Sequence, residues 1–395
     1  MARCLTILLA GLICATSAAA KAPLAPLPPD KVAGLAELLR QSEIALVESQ
    51  PGGRLKQVSL FAFVAAPPQQ VHDTVAAVER YGEFFRNMSE CQVTRNSDGT
   101  VDQRFVVRYS LVSFNGVLRS RFLAAPEGSA PGTPGVIDQE PTDPEDNAHF
   151  RWEFHETPGG TVMAVYGFTD VYHSNDLIRA LLRRAPSMEH GLALAQQLVQ
   201  VRTLKARAEK LAGPRPAPPR GKSPGFGFLV QRGQVVVLRT NAGGRLADLS
   251  LIDQFRAPKD KIAGVVLAPA AFASLVEATT RSEERSRGPE GVAYDLETSL
   301  TVASWGSRWL ARSDGNGNVD GLCTDGDLKG GRYRWDLTTN DRGTLVVYRS
   351  GLDLGVESLV MRTLFGQEPL FEHGMVTAFA LAMVGGVKAR AEGRR

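Results

Sequence analysis

An internal repeat dominates the sequence of this chain. Residues 186–209 read PSMEHGLALAQQLVQVRTLKARAE, and residues 369–392 read PLFEHGMVTAFALAMVGGVKARAE. The proline, the Glu-His-Gly triplet and the Lys-Ala-Arg-Ala-Glu ending recur at a constant offset of 183 positions. Matches at a constant offset over this length do not arise by chance. The two segments therefore have a common origin and are expected to share one structure.

The correspondence extends upstream at an offset of 191 positions. The Gly-Gly-Arg-Leu of residues 52–55 recurs at 243–246, and the Ala-Pro of residues 66–67 recurs at 257–258. The change of offset means that the second copy lacks a net eight residues in its middle. Each copy spans about 160 residues, which is the size of a whole domain and too long for a solenoid unit.

The sequence of 395 residues accordingly divides into four segments. We predict a signal peptide at residues 1–20, a first domain at 30–212, a linker at 213–225 and a second domain at 226–393. The linker reads GPRPAPPRGKSPG. This density of proline and glycine excludes regular structure and favours a semi-extended spacer.

The N-terminus has the pattern of a secretory signal peptide. Arg3 is followed by an apolar run from Leu5 to Cys14, and small residues then end in alanine at positions 18–20. Such a pattern closes with an A-x-A cleavage site, here before Lys21. We therefore expect a cleaved, periplasmic or secreted protein. An uncleaved membrane anchor and a lipoprotein are the alternatives.

Composition and motifs argue against several classes of function. The net charge is only +3 and no basic stripe is interleaved with aromatic residues, so nucleic-acid binding is disfavoured. The sequence has no P-loop, no nucleophile elbow and no metal-ligand histidine spacing, so no cofactor and no metal are predicted. The stretch 314–320 resembles the start of a calcium loop. Val319 stands where such loops need glycine, which favours a polar hairpin turn.

Cleavage of the signal peptide would leave two cysteines, Cys91 and Cys323. They do not occupy corresponding positions in the two copies, so we expect two unpaired thiols. A disulfide between the two domains is the alternative that the sequence leaves open.

The order of predicted elements indicates an α+β domain. Alternating apolar residues predict a strand at 58–64, and the Ala-Pro at 66–67 opens a helix. Further strands are predicted near 101–111, 115–124, 148–156 and 160–172. A helix capped by Asp30 is expected to run through Val47, and a long helix from 187 to about 211 closes the domain. A curved antiparallel sheet would bury one face against this closing helix.

The strand at 148–156 shows how the two faces of the sheet differ. Polar and aromatic side chains alternate along it, so they point to opposite faces. The aromatic side chains are Phe150, Trp152 and Phe154 in the first copy and Tyr333 and Trp335 in the second. We expect the aromatic face to meet the closing helix, and the polar face, which includes His149 and His155, to meet solvent.

Together these features resemble the START/polyketide-cyclase (SRPBCC) superfamily, especially its coenzyme Q-binding-like branch. The resemblance is carried by the Ala-Pro strand end at 66–67, the helix after it, the segment VERYGEFFRNM at 78–88 and the closing helix. The second copy lacks the Tyr-x-x-Phe-Phe element. The resemblance implies two tandem helix-grip domains, each a curved antiparallel sheet around a long C-terminal helix that encloses a hydrophobic cavity. It also implies apolar ligands such as lipids, sterols, quinones or polyketides.

The closing helix supplies the remaining candidates for the ligand cavity. His190 and His373 are the only histidines that both copies share, and we interpret them as polar residues at the cavity rim, with acid–base chemistry as the alternative. Gly191 and Gly374 follow them inside a helix, where glycine costs about 1 kcal/mol relative to alanine. Both indicate close approach by another element, which we predict to be a strand, with a ligand as the alternative. No residue is assigned a catalytic role.

The leading hypothesis is an exported protein that carries or senses an apolar ligand. This ligand would be a hydrophobic small molecule or lipid, and transient membrane contact is a further expectation. One alternative is a cyclase/aromatase-type enzyme that acts on a polyketide-like substrate with His190 as its acid–base group. Export weakens that alternative, because carrier-bound polyketide intermediates are cytosolic. The other alternative is a ligand-free scaffold that binds proteins.

Overall fold

The computed structural model describes residues 23–108, 113–143, 147–173, 176–214, 225, 227–241, 244–300, 303–354 and 359–394. The predicted signal peptide at 1–20 and all but the ends of the predicted linker at 213–225 lie outside the described residues. Both copies, called repeat 1 and repeat 2 from here on, are covered from their first strand to their closing helix.

Repeat 1 consists of antiparallel strands, short helices and one long closing helix. Its strands are β1 (Glu43–Ser49), β2 (Leu55–Val64), β3 (Met88–Arg95), β4 (Val101–Arg108), β5 (Ser113–Leu123), β6 (Val136–Pro141), β7 (Ala148–Thr157) and β8 (Gly160–Thr169). Its helices are α1 (Pro29–Ala33), α2 (Ala36–Leu39), α3 (Pro68–Ala76), α4 (Asp176–Arg184) and α5 (Met188–Ala212), with 3-10 turns at Val78–Glu83 and Val171–His173.

Repeat 2 follows the same order. Its strands are β9 (Gln234–Thr240), β10 (Leu246–Phe255), β11 (Thr279–Gly288), β12 (Gly291–Ser299), β13 (Ser304–Ser313), β14 (Val319–Gly326), β15 (Arg332–Asn340) and β16 (Gly343–Gly351). Its helices are α6 (Gly227–Val230), α7 (Lys259–Val266), α8 (Phe272–Leu275), α9 (Leu359–Gln367) and α10 (Leu370–Ala391), with a 3-10 turn at Pro269–Ala271. In both repeats the Ala-Pro pair separates a strand from a helix, because proline is tolerated where a helix begins.

The two repeats share one continuous sheet, which confirms the predicted α+β class with an antiparallel sheet. Its sixteen described strands run in the order β11-β12-β13-β14-β15-β16-β10-β9-β1-β2-β8-β7-β6-β5-β4-β3. The junction is the antiparallel pair β1–β9, in which Ala45 lies opposite Val236, its own counterpart at the offset of 191. An approximate twofold axis therefore passes through this pair and relates the repeats.

The two closing helices pack on the sheet and on each other. α5 contacts β2 and β8, α10 contacts β10 and β16, and α5 and α10 cross at Gly191 and Gly374. A Cβ added at Gly374 would lie 2.5 Å from the Gly191 carbonyl oxygen, and one added at Gly191 would overlap the Gly374 carbonyl oxygen. The predicted approach by a strand is thus wrong, because the second closing helix occupies that position.

Gly191→Ala is expected to lower the free energy of unfolding by about 1–3 kcal/mol, the usual cost of overpacking. The added methyl group would meet helix backbone, which cannot move aside as the end of a flexible side chain can. In the matched control Gly385→Ala, also in a closing helix, nothing lies within 4 Å of the added Cβ. That variant should gain up to about 1 kcal/mol in helix propensity. Urea denaturation measures the unfolding free energy of both variants. Equal changes in that free energy would disprove a tight helix crossing.

The helix predicted to run from Asp30 through Val47 is wrong. The structure has the short helices α1 and α2 there, followed by strand β1. β1 lies between β2 and β9, and its residues from Ile44 to Val47 are buried on both faces of the sheet. A strand that is buried on both faces has a continuous run of apolar residues in its sequence. Such a run lacks the alternation of a half-buried strand, so sequence periodicity does not distinguish it from a buried helix.

The outer face of repeat 1 is covered, so the expectation that His155 meets solvent is also wrong. Apolar side chains of residues 27–39 pack on this face, and α1 contacts β7. His155 is only 4% exposed, and its Nε2 lies 3.3 Å from the buried Glu153 carboxylate. In repeat 2 the polar face of β15 behaves as predicted, with Arg332 exposed and Arg334 half-buried.

The glutamate of each Glu-His-Gly triplet pairs with the arginine of the Gly-Gly-Arg-Leu motif. Glu189, in the first turn of α5, is buried and accepts two hydrogen bonds of 2.9 Å from the Arg54 guanidinium. Glu372 and Arg245 form the same pair in repeat 2, at 2.6 and 3.1 Å. The two motifs recur together because they fasten the start of each closing helix to the turn between the first two strands.

The glutamate that ends each Lys-Ala-Arg-Ala-Glu motif fastens the other end of the helix. Glu209 accepts a hydrogen bond of 2.9 Å from the backbone N–H of Ala65, immediately before the Ala-Pro pair. Glu392 accepts the equivalent bond of 2.8 Å from the backbone N–H of Arg256. Glu209 and Glu392 therefore tie the end of each closing helix to the end of a strand in both copies.

One described helix, α10, is long and apolar enough to cross a membrane by composition alone. Within its most apolar stretch, 72% of the residues are buried inside the protein. Burial as the core helix of repeat 2 accounts for this apolar character.

Candidate functional site

A cavity lined by described residues lies inside repeat 1. It has a volume of about 1610 Å³ and is bounded by strands β3 to β7 on one side and by α5 on the other. Its apolar lining includes Phe105, Phe114, Val117, Phe150, Trp152 and Leu192. The concave face of the sheet and the closing helix therefore bound a partly open space whose wall carries both apolar and polar side chains.

The VERYGEFFRNM segment forms one wall of this cavity. Its rings pack together in edge-on and tilted contacts, with the Tyr81 centroid 4.9 Å from that of Phe85 and 5.6 Å from that of Phe84. Tyr81 is held by a hydrogen bond of 2.7 Å from its hydroxyl to the Val75 carbonyl oxygen. The motif that repeat 2 lacks is thus part of the cavity lining in repeat 1.

Repeat 2 contributes part of the rim of the repeat 1 cavity. The lining includes Gly244 and residues 367–371, where α9 ends and α10 begins. Among these, Glu368 is half-buried, and burial raises the pKa of its carboxyl group. The cavity therefore depends on the position of α10, which the crossing with α5 determines.

The corresponding interior of repeat 2 is filled by aromatic side chains. The Trp309 and Tyr333 rings lie 5.4 Å apart, the Trp335 and Tyr348 rings lie 4.9 Å apart, and the hydroxyls of Tyr294 and Tyr333 lie 3.2 Å apart. All five rings are buried. Repeat 1 has a smaller residue at each matching position: Gln103 corresponds to Tyr294, Leu118 to Trp309 and Val165 to Tyr348. Smaller side chains in repeat 1 leave the space that larger rings occupy in repeat 2.

The predicted cavity candidates fall into four groups. Phe150 and Trp152 line the repeat 1 cavity. Phe154 lies on the same face but packs against His72, with ring centroids 5.4 Å apart, and is absent from the described lining. Tyr333 and Trp335 belong to the aromatic filling of repeat 2. The remaining four candidates, His190, Gly191, His373 and Gly374, lie where the closing helices cross, outside the described lining.

The two shared histidines bind protein groups. His190 Nε2 lies 3.1 Å from the Ser49 hydroxyl, and burial lowers the pKa of the imidazole. An N–H of Arg202 points at His373 Nε2 over 3.3 Å, and His373 Nδ1 lies 3.2 Å from the Pro369 carbonyl oxygen. A neutral ring protonated on Nδ1 satisfies both partners of His373. Arg202 also pairs with Glu43, so this histidine joins α10 to the first repeat.

His373 should make the protein less stable in acid. Burial, and to a smaller extent Arg202, lower the pKa of His373 from its ordinary 6.5 to about 3. Because the unfolded chain binds the proton more readily, this stability is present above pH 6.5 and is lost as the pH falls toward 3. The expected loss at pH 5 is roughly 2 kcal/mol. His373→Gln should flatten the change in unfolding free energy between pH 7 and pH 5, and an unchanged slope would refute this role.

The sequence missed the polar residues of the cavity wall. Gln103 and Gln139 are 3% and 5% exposed and lie on the inner face of β4 and β6. The available signal was a glutamine on the otherwise apolar, alternating face of a strand. Without knowing which face is concave, the sequence alone does not distinguish such a residue from one facing solvent.

Metal-binding chemistry has no evident support among the described residues. No group of three or more His, Cys, Asp or Glu side chains is placed to hold an ion. The calcium-like stretch forms the hairpin turn between β13 and β14, where the Asp314 carboxylate accepts hydrogen bonds from the backbone N–H groups of Asn316 and Asn318. Both described cysteines are free: Cys91 is half-buried and Cys323 is buried.

No family model and no curated protein matches the sequence. Among solved structures, the chain is similar to the di-domain ARO/CYC protein StfQ from the steffimycin biosynthetic pathway, with 14% identity and a TM-score of 0.32 over 85% of this chain and 98% of that one. The di-domain ARO/CYC protein BexL from the BE-7585A biosynthetic pathway is 13% identical, with a TM-score of 0.32 over 86% and 100% of the two chains.

A third similar structure is a fragment of a STAR-related lipid transfer protein from Xanthomonas axonopodis. It is 12% identical, with a TM-score of 0.32 over 41% of this chain and 94% of that one. The expectation of an α+β fold with two tandem copies, each an antiparallel sheet against a long C-terminal helix, is confirmed by the architecture of the chain itself.

Proposed function

We propose that this chain is a binding protein that carries an apolar small molecule or lipid in the cavity of repeat 1. The observation that supports this proposal is the cavity itself. The matching space in repeat 2 is filled with aromatic rings. Two copies of one fold, one open and one packed, indicate that the open space is not a requirement of the fold.

The size and lining of the cavity favour a large apolar ligand. Its volume of about 1610 Å³ exceeds the roughly 300–1,000 Å³ of pockets that hold drug-sized molecules. A lipid, a sterol or a quinone would fit such a space. Each 100 Å² of apolar ligand surface that it buries contributes about 2.5 kcal/mol before the costs of association.

The alternatives receive less support. A cyclase/aromatase-type enzyme would need an acid–base group in contact with substrate, but His190 lies outside the described cavity lining and against Ser49. A ligand-free scaffold is a better description of repeat 2, whose interior is filled, than of repeat 1. We therefore assign binding to repeat 1 and a supporting role to repeat 2.

Export remains part of the proposed function and rests on the first 20 residues of the sequence alone. The mature protein should begin at or near Lys21 and occur in the periplasm or the medium. N-terminal sequencing of the protein after cell fractionation tests this directly. A mature chain that retains Arg3, or one confined to the cytosol, would remove export from the proposal.

The ligand can be sought by mass spectrometry of organic extracts from the purified full-length chain. The expected result is one apolar compound at a stoichiometry near one per chain. As a matched control, the extract of a Val199→Trp variant should lack that compound, because Val199 lines the cavity on α5. If the same compounds occur in both extracts in equal amounts, they are not held in this cavity.

A further inference from the structure

The inner wall of the repeat 1 cavity carries a cluster of uncharged polar side chains. Gln103 on β4, Ser120 on β5 and Gln139 on β6 are at least nine-tenths buried, and both glutamines line the cavity. Strand pairing places them side by side, since Ser120 lies directly opposite Gln139 and also opposite Val101, two residues from Gln103. Burying three polar groups in an apolar wall is unfavourable unless they are hydrogen-bonded.

Hydrogen bonds within the protein fix the orientation of this cluster. The indole Nε1 of Trp152 donates to Gln139 Oε1 over 2.8 Å, and Gln139 Nε2 donates to the Ser120 hydroxyl oxygen over 3.1 Å. Because an indole N–H only donates, the amide oxygen of Gln139 must face Trp152. Gln103 Nε2 donates to Cys91 Sγ over 3.4 Å.

These bonds leave hydrogen-bonding capacity at the cavity wall. Each amide nitrogen has two N–H groups, and one bond from each to a described residue is present. Each amide oxygen can also accept more than one hydrogen bond. The cluster therefore offers both donors and acceptors to a group that enters the cavity.

The fold does not require this cluster. In repeat 2, Tyr294 corresponds to Gln103 and Ala311 corresponds to Ser120. Gly321, which pairs with Tyr333 in the sheet, corresponds to Gln139. Repeat 2 thus builds the same sheet without the two amides and the hydroxyl. Their presence in the open repeat alone indicates a role toward the contents of the cavity.

No side chain of this cluster carries a charge. Every charged side chain in the described lining is exposed or half-buried, including Arg86, Arg104, Lys210 and Glu368. A carboxylate carried to the inner wall would lose its hydration and meet only neutral groups, which is strongly unfavourable. A charged end of a ligand should therefore stay at the mouth.

We propose that Gln103 and Gln139 recognise an uncharged hydrogen-bonding end of the ligand, such as a hydroxyl or a ketone or quinone carbonyl, which enters the cavity first. This specificity rests on the proposed binding function and deepens it. An apolar molecule with a neutral polar end binds with that end inward, whereas one with a carboxylate end binds with its tail inward and does not reach the amides.

Two matched probes distinguish these orientations. 1-Decanol and decanoate have the same chain and differ in their polar end, and calorimetric titration at pH 8 of the full-length chain gives both affinities. Gln139→Leu and Gln103→Leu should each weaken 1-decanol binding about ten-fold, the effect of losing one buried hydrogen bond. Both should change the affinity for decanoate less than two-fold.

The controls separate failure of this specificity from failure of the binding function. Gln92→Leu, an exposed glutamine on β3 outside the described lining, should change neither affinity. Gln103→Leu leaves the Trp152–Gln139 bond intact, so it remains informative if Gln139→Leu misfolds. Equal effects on both probes, or none on either, would overturn recognition by the amides while binding stands. If the wild-type chain binds neither probe, the binding function fails as well.

Discussion

Trp152→Ala is expected to lower the free energy of unfolding by about 3–5 kcal/mol and to weaken binding in repeat 1 about ten-fold. The ring is 1% exposed and belongs to the main core, which accounts for the loss of stability. It also lines the cavity and holds Gln139 by its indole N–H, which accounts for the loss of affinity. Urea denaturation gives the first quantity and probe titration of the folded variant gives the second.

Trp335→Ala is the matched control for this prediction. Trp335 occupies the same position of repeat 2, is also 1% exposed, and packs on Tyr348 without lining the repeat 1 cavity. It should be destabilising to a similar extent and leave the affinity of the folded protein unchanged. Equal losses of affinity in the two variants would make Trp152 a packing residue only.

Arg245→Ala is expected to destabilise the protein by about 3 kcal/mol, at the low end of the range for breaking a buried ion pair. Glu372 is 2% exposed and would keep its charge in the interior without its bidentate partner. The low end applies because the Arg245 side chain is 46% exposed, so solvent screens part of the interaction.

The control for Arg245 is Arg239→Ala. Arg239 pairs with Asp248 on the surface, where the two side chains are 57% and 34% exposed. Exposed pairs of this kind contribute about 1 kcal/mol or less. If thermal unfolding shows the two variants to be equally stable, the repeated Arg–Glu pair does not hold the closing helix.

The sequence predicted those parts of the fold that depend on local pattern. The repeat gave two copies, the Ala-Pro pair marked the start of a helix, and the alternation of β15 placed Tyr333 and Trp335 on the inner face. Each of these sequence signals lies within a few residues of the structural feature that it predicts. They hold because strand and helix periods do not depend on distant partners.

Contacts between segments far apart in sequence were not predictable in this way. β1 reads like a helix because it pairs with β2 and β9 in the middle of the sheet and apolar clusters bury both of its faces. His155 is buried because residues 27–39 cover its side of the sheet. The role of Gly191 required the position of α10. In each instance the burial or role of the residue depends on a segment that tertiary packing brings close. The local sequence pattern does not show which segment that is.

The candidate site was predicted in part. Phe150 and Trp152 were identified because an aromatic face must meet the closing helix, whereas Phe154, further along the same face, packs against His72 of α3. The asymmetry between the repeats had a signal in the sequence, since Gln103 in repeat 1 matches Tyr294 in repeat 2. Only the three-dimensional structure shows that such exchanges fill one interior and leave the other open.

The most direct test of binding in repeat 1 is the stoichiometry of a neutral apolar fluorophore, N-phenyl-1-naphthylamine, on the full-length chain. Saturation at one probe per chain is expected, because the interior of repeat 2 is filled. Val199→Trp should abolish this binding, and Leu211→Trp, at a position 50% exposed and outside the described lining, should not. Absence of saturable binding, or binding that Val199→Trp leaves intact, would contradict a ligand cavity in repeat 1.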